Sequence, residues 1–175
     1  MTRRAFYPGT FDPIHLGHVD IAARSAAIFD ELVVGIYDRP SKNLLFTTEE
    51  RVALAREALR ELDNVQVTAY GGLTADFARR LNARAIVRGL RVISDFEWEY
   101  QMALTNRELA PEIEFVCLMT RQEHAFLSSS ILKEIALLDG DVTRMAPPNV
   151  IAALAEKRKE LEQRQGAVPF VSLRD

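Results

Sequence analysis

Cysteine is nearly missing from this 175-residue sequence. The single Cys117 excludes an internal disulfide, and no His/Cys spacing suggests a zinc site. It lies in the apolar run Phe115-Val116-Cys117-Leu118-Met119, which predicts a buried strand thiol rather than a nucleophile. Charge of one sign is missing too: 22 basic residues face 25 acidic ones, a formal net charge of −3. A general nucleic-acid binder needs a strongly basic surface, so no nucleic-acid partner is expected. No stretch of ~18 apolar residues occurs and the start has no apolar leader core, so neither a membrane partner nor export is expected, and the protein is read as cytoplasmic. There is no GxxxxGK[ST] loop, which excludes a Walker-type ATPase, and no GxGxxG follows any predicted strand. No serine–histidine–acid arrangement stands out. Internal repeats and low-complexity segments are also missing.

What remains is an ordinary globular composition, 48% apolar and 27% charged, on a chain long enough for one domain with a real core. Short β-rich runs at 5–7, 32–37, 65–69, 85–87 and 114–119 alternate with helical patterns near 16–29, 49–62, 74–81, 96–109, 129–138 and 149–163. The second helix has a capping box, Thr47 with Glu50, and its apolar positions Val52, Ala55, Leu59 and Leu62 recur at helical spacing. Such alternation predicts an α/β fold: a doubly wound, five-stranded parallel sheet with helices on both faces, followed by C-terminal helices. The domain is expected over 1–163, with 164–175 an apolar tail of unknown role that either docks or frays. Ligands in such sheets bind beyond the carboxyl ends of the strands, at the point where the strand order reverses.

The most informative segment is Tyr7-Pro8-Gly9-Thr10-Phe11-Asp12-Pro13-Ile14-His15-Leu16-Gly17-His18. It passes from the first strand through a turn-rich loop into a helix whose start carries His15 and His18. Unpaired N–H groups and partial positive charge at a helix N-terminus attract anions, and Gly9 and Gly17 are expected to admit a ligand close to the backbone. The expected ligand is a nucleotide phosphate; the plain alternative is a pair of helix-capping histidines. Further clusters fall after later strands. Lys42, in Pro40-Ser41-Lys42, either neutralises a phosphate or is merely solvated. Arg88-Gly89-Leu90-Arg91 is expected in the loop after the fourth strand, where both guanidinium groups either reach into the switch-point crevice to hold phosphate or are surface arginines of an incidental loop. Ser128-Ser129-Ser130 caps a late helix and offers hydroxyls to phosphate oxygens. Glu99 either accepts from a ribose or adenine or only favours a helix start. Donors and cations without an evident nucleophile suit phosphoryl-group chemistry run by positioning and charge neutralisation.

Taken in order over 3–155, these motifs resemble the nucleotidylyltransferase superfamily with its H-x-G-H element. Within it, Tyr7 to Pro13, Pro40-Ser41-Lys42, Arg88 to Arg91, Asp95-Phe96-Glu97 and Phe126 to Ser130 resemble the bacterial phosphopantetheine adenylyltransferase family. The resemblance implies a Rossmann-like domain that transfers the adenylyl group of ATP to 4′-phosphopantetheine. The products are dephospho-coenzyme A and pyrophosphate. It implies that His18 is catalytic, stabilising the transition state at the α-phosphate. Thr10, Lys42, Thr74 and Arg88 are implied to bind phosphopantetheine. ATP is assigned to Thr10, Phe11, His18, Gly89, Leu90, Arg91, Glu99, His124, Ala125, Phe126, Leu127, Ser128, Ser129 and Ser130. Mg²⁺ is implied as cofactor with no protein ligand, coenzyme A as a regulatory relative of the product, and a homohexamer as the assembly. The helix at 96–109, with Trp98, Tyr100 and Met102, is expected to serve either as an assembly surface or as internal core.

Three features depart from the family pattern: His15 stands where many members have threonine, Gly72 where aspartate is frequent, and His124 where some have an aromatic residue. Two other readings are carried forward. One is a sister transferase acting on nicotinamide mononucleotide or an alcohol phosphate. The other is a nucleotide-binding regulatory domain without turnover.

Overall fold

The computed structural model describes residues 2–40 and 44–165. Lys42 and the segment 166–175 therefore lie outside the described residues. Five parallel strands, β1 (Arg4–Gly9), β2 (Glu31–Tyr37), β3 (Val65–Tyr70), β4 (Ala85–Leu90) and β5 (Glu114–Met119), form one sheet in the order β3-β2-β1-β4-β5. Parallel neighbours require crossovers, and helices supply them: α1 (Leu16–Ile28), α2 (Thr48–Ala58), α3 (Thr74–Arg80) and α4 (Ile93–Leu109). A 3₁₀ turn (Gln122–His124) and two further helices, α5 (Ser129–Leu137) and α6 (Pro148–Gln165), complete the domain. The order reverses between β1 and β4, so the switch point lies beside the opening motif.

Alternation along each strand divides the core. Ala5, Tyr7, Val34, Ile36, Ala85 and Val87 face a cluster with Ile21 and Ala22 of α1, Val52 and Ala55 of α2, Leu132 of α5 and Leu154 of α6. Phe6, Val33 and Ile86 point the other way, into a smaller cluster with Ala75 and Ala78 of α3 and the segment after α4. Helix α2 starts as its capping box requires: Thr47 Oγ1 accepts from the Glu50 N–H at 3.2 Å, and Glu50 accepts from the Thr47 N–H at 2.7 Å. It ends at Ala58, short of the expected limit, and Leu59 and Leu62 continue its packing as turns.

Two sequence readings are corrected. Cys117 is exposed, because β5 is a sheet edge and its face toward α4 is poorly covered. Arg88, Gly89 and Leu90 lie inside β4 rather than after it: pairing with β5 continues through Arg88↔Cys117 to Leu90↔Met119. Helix α4 begins earlier than expected, at Ile93, and is not core: Ile93, Phe96, Trp98, Tyr100 and Leu104 are all exposed.

Candidate active site

Two open cavities meet at the switch point. The first, about 450 Å³, is bounded by the β1–α1 loop, the ends of β4 and β5, and the start of α5. The second, about 510 Å³, is lined by Tyr37, Tyr70, Leu73, Thr74, Met102 and Phe115 among others, and so runs between β2, β3, α3 and α4. Both include Pro8, Gly9, Thr10, Arg88, Trp98 and Glu99, which form their common wall.

The β1–α1 loop is held from several sides. Phe11 adopts a positive φ of 49°, a strained conformation for an aromatic residue, with its side chain buried. Its ring meets His18 edge-on at 4.8 Å, and a Cβ on Gly9 would come within 2.7 Å of it. Gly9 thus makes room for Phe11 while also lining both cavities. Arg51 of α2 is fully buried and donates to the carbonyls of Thr10 at 2.7 Å and Tyr37 at 2.9 Å, and to Thr48 Oγ1 at 2.9 Å. One guanidinium therefore joins the loop, the end of β2 and the start of α2. Asp12, also buried, accepts from the backbone N–H of Leu45 and Phe46 and from Lys133 of α5.

His15 caps α1 and His18 stands in its first turn, so the two imidazoles stack, with centroids 3.6 Å apart. The His15 backbone N–H donates to His18 Nδ1 at 3.3 Å. A neutral His18 whose Nδ1 accepts carries its proton on Nε2 and presents a donor there. Burial, assisted by His15, Arg88 and Arg91, holds the His18 pKa well below 6.5. Burial with Arg91 and His124 lowers His15 to about 3. Both rings are thus neutral at pH 7. His15 Nδ1 and His124 Nδ1 are buried with no hydrogen-bond partner.

Three cations line the first cavity among the described residues, each joined to a carboxylate that lines it too. Arg88 follows Val87 in β4 and so points to the α4 face, where its Nε and Nη2 donate to Glu99 at 2.6–2.9 Å. Its Nη1 donates to the Pro8 carbonyl at 2.7 Å. Arg91 is paired with Asp95 at 3.1 Å and donates to the Leu127 carbonyl at 2.6 Å. Lys133 is paired with Asp12 at 2.6 Å. The arginines therefore reach the crevice, as expected, but are not free within it.

Of the other residues singled out in the sequence, Thr10, Phe11, His18, Gly89, Arg91, Glu99, His124 and Ser128 to Ser130 line the first cavity, and Thr74 lines the second. Ser128 caps α5, accepting from the Ile131 N–H at 3.1 Å, and Ser129 donates to the Pro13 carbonyl at 2.8 Å. Leu90, Ala125, Phe126 and Leu127 do not line it, and Leu127 is a fully buried core residue. The segment nevertheless contributes the Leu127 carbonyl through Arg91. Gly72 has φ +80°, the left-handed region that favours glycine, which accounts for its presence at the mouth of the second cavity. Sequence reasoning missed Asp12, Lys133, Asp95, Thr120 and Trp98 as wall residues. Asp12 and Asp95 both lay inside quoted motifs, Tyr7 to Pro13 and Asp95-Phe96-Glu97, but of the two only Asp95, four residues after Arg91, had its partner within reach of local sequence.

Comparison with known proteins places this site in a family. The cytidylyltransferase-like family model matches residues 6–135. A phosphopantetheine adenylyltransferase of Thermomicrobium roseum is 51% identical over 164 residues, covering 92% of this chain and 98% of that protein. One from Heliobacterium modesticaldum is 52% identical over 153 residues, covering 87% and 91%. One from Roseiflexus is 51% identical over 150 residues, covering 86% and 94%. The crystal structure of the lipopolysaccharide core biosynthesis protein from Thermoplasma volcanium is 24% identical, with a TM-score of 0.53, over 70% of this chain and 100% of that one. That likeness shows the fold alone. The doubly wound sheet, the H-x-G-H helix start and these identities together make the chain a member of the phosphopantetheine adenylyltransferase family, within the cytidylyltransferase-like group.

Proposed function

We propose that this protein transfers the adenylyl group of ATP to 4′-phosphopantetheine, forming dephospho-coenzyme A and pyrophosphate. The observation that carries this reading is the junction of two cavities at Thr10 and Arg88, one polar and walled by donors, the other lined by Tyr, Leu, Met and Phe side chains. The polar cavity suits a triphosphate; the apolar one suits the pantetheine arm, with Thr74 along it and the terminal phosphate at Arg88 and Thr10. Lys42 belongs to the same assignment by its motif and lies outside the described residues.

In this reading an oxygen of the acceptor phosphate attacks the α-phosphorus of ATP. The bond from that phosphorus to the bridging oxygen breaks, and pyrophosphate leaves with the electron pair. The nucleophile is already anionic, so no general base is required. His18 donates from Nε2 to the α-phosphate as its equatorial oxygens gain charge, and its low pKa keeps the imidazole a neutral donor. Gly89, Arg91, Glu99, His124 and Ser128 to Ser130 hold the nucleotide. Glu99 does so while orienting Arg88.

No group of His, Cys, Asp or Glu side chains among the described residues is arranged to hold a metal, and Asp12, Asp95 and Glu99 are engaged with cations. Mg²⁺ therefore enters this proposal on the phosphate oxygens of ATP, as part of the substrate. We further propose a cytoplasmic homohexamer that also recognises coenzyme A. No helix among the described residues is long and apolar enough to cross a membrane. The exposed Ile93, Phe96, Trp98 and Tyr100 on α4 support self-association, which sedimentation velocity tests directly.

The deciding experiment is pyrophosphate release by the purified protein with ATP, Mg²⁺ and 4′-phosphopantetheine, run beside nicotinamide mononucleotide and glycerol-3-phosphate. Release with phosphopantetheine alone is expected. Release with another acceptor overturns the assignment of the apolar cavity, and no release despite ATP binding overturns catalysis.

A further inference from the structure

Asp12 is a buried carboxylate that takes no part in the chemistry above, yet it touches both sides of the site. Its side chain is 4% exposed. Oδ1 accepts from the Phe46 N–H at 2.9 Å, and Oδ2 accepts from the Leu45 N–H at 3.0 Å and from Lys133 Nζ at 2.6 Å. Burying a carboxylate is costly unless donors replace its water, and here three do. Those donors come from separate elements. Leu45 and Phe46 lead into α2, whereas Lys133 lies on α5 behind the serines that start it.

Asp12 itself sits in the loop between Thr10 and the His15–His18 helix start. Ser129 Oγ ties α5 to the next residue, donating to the Pro13 carbonyl at 2.8 Å. The spacing between the His18 loop and the serine-bearing turn of α5 therefore depends on two adjacent contacts, of which the Asp12–Lys133 ion pair is the charged one.

We propose that Asp12 is a positioning residue for adenylyl transfer: by holding Lys133 and the 45–46 backbone at once, it fixes the α5 turn and the loop before α2 relative to His18. The proposal rests on the functional reading above. Its prediction is that each half of the site binds its substrate without Asp12, while the geometry between them fails. A displacement of about 1 Å at a reacting centre costs ~100-fold in rate.

The test is Asp12→Asn, which keeps size but directs an amide NH₂ at a donor on one side. The expected result is a kcat lowered by about 100-fold, with KM for ATP and for phosphopantetheine each within about 3-fold of wild type. ATP affinity, read from the fluorescence of Trp98, the one tryptophan and a wall residue of the cavity, should also be retained. Lys133→Met should reproduce the loss of kcat, and Lys133→Arg, which can still pair with Asp12, should restore most of it. A lower melting temperature with unchanged kcat in Asp12→Asn makes the residue structural only and overturns the proposal. A raised KM for ATP at unchanged kcat in Lys133→Met makes the lysine a direct nucleotide ligand and overturns it equally. Absence of wild-type turnover with phosphopantetheine counts instead against the functional reading, so the two failures are distinguishable.

Discussion

The stacked histidines make fold stability depend on pH in a range where few other groups titrate. In the unfolded chain His15 and His18 take up protons near 6.5; in the fold His15 is lowered to about 3 and His18 well below 6.5, in both cases chiefly by burial. A base with a depressed folded pKa stays neutral while its unfolded counterpart charges. The unfolded state then binds more protons, and stability falls as pH drops below 6.5. For His15 this loss continues down to about pH 3. At about pH 5, some 1.5 units under the unfolded value, His15 alone costs ~2 kcal/mol at about 1.36 kcal/mol per unit. His18 adds to the loss in the same direction. The paired carboxylates Asp30, Glu50, Asp95 and Glu112 have lowered pKa values, so their contribution is lost only at lower pH. Urea unfolding followed by circular dichroism at about pH 7.5 and about pH 5 measures the change. His15→Gln, whatever its starting stability, is expected to lose ~2 kcal/mol less than wild type between the two conditions. Equal losses in the two proteins would refute the assignment of a neutral buried His15.

Three other outcomes follow from the geometry. His18→Ala removes the Nε2 donor and is expected to lower pyrophosphate release by about 10²–10³-fold, with ATP affinity by Trp98 fluorescence largely intact; near-normal release would move catalysis elsewhere. Glu99→Gln leaves Arg88 without its counter-charge. Because the Arg88 side chain is 31% exposed and glutamine keeps an acceptor, a loss of about 2 kcal/mol is expected by urea unfolding, with a raised KM for phosphopantetheine; no change in either contradicts the pairing. Arg51→Met leaves the carbonyls of Thr10 and Tyr37 without that donor and should cost ~3 kcal/mol in denaturant unfolding. Arg51→Lys should rescue little, since one ammonium cannot match a planar fork spanning three acceptors; full rescue would show that charge alone matters.

Much of the fold was legible because local rules and tertiary packing agree. Strands with apolar alternation, the Thr47–Glu50 capping box and the turn-rich loop after β1 are short-range signals, and each lies where it was expected. Errors arose where neighbours distant in sequence decide. Cys117 has the apolar flanks of a buried strand, but β5 is an edge and leaves it exposed. Arg88 reads as a loop residue until pairing with β5 extends β4 past it. Among site residues, His18, Arg91 and the serines announced themselves by type and position. Asp12 did not, since its partners lie 33, 34 and 121 residues away. Arg51 was equally hidden, because an arginine in a charged helix reads as surface until the strand ends close over it. Helix α4 was left open for another reason: Ile93, Phe96, Tyr100 and Leu104 recur at helical spacing as one apolar stripe, but such a stripe does not say whether the chain itself covers it, and here it is exposed.

The pairing of every cation that lines the first cavity among the described residues has a consequence for how anions arrive. Arg88 with Glu99, Arg91 with Asp95 and Lys133 with Asp12 form three closed dipoles rather than a positive funnel, on a chain whose net charge is −3. Their fields cancel within a few ångströms, so little long-range attraction draws a polyanion inward. Entry is governed by close-range contact, in which incoming phosphate oxygens meet donors whose carboxylate partners stay in place. Capture of ATP should therefore be nearly indifferent to ionic strength, and a simple anion such as chloride or sulfate should be a poor competitor for it.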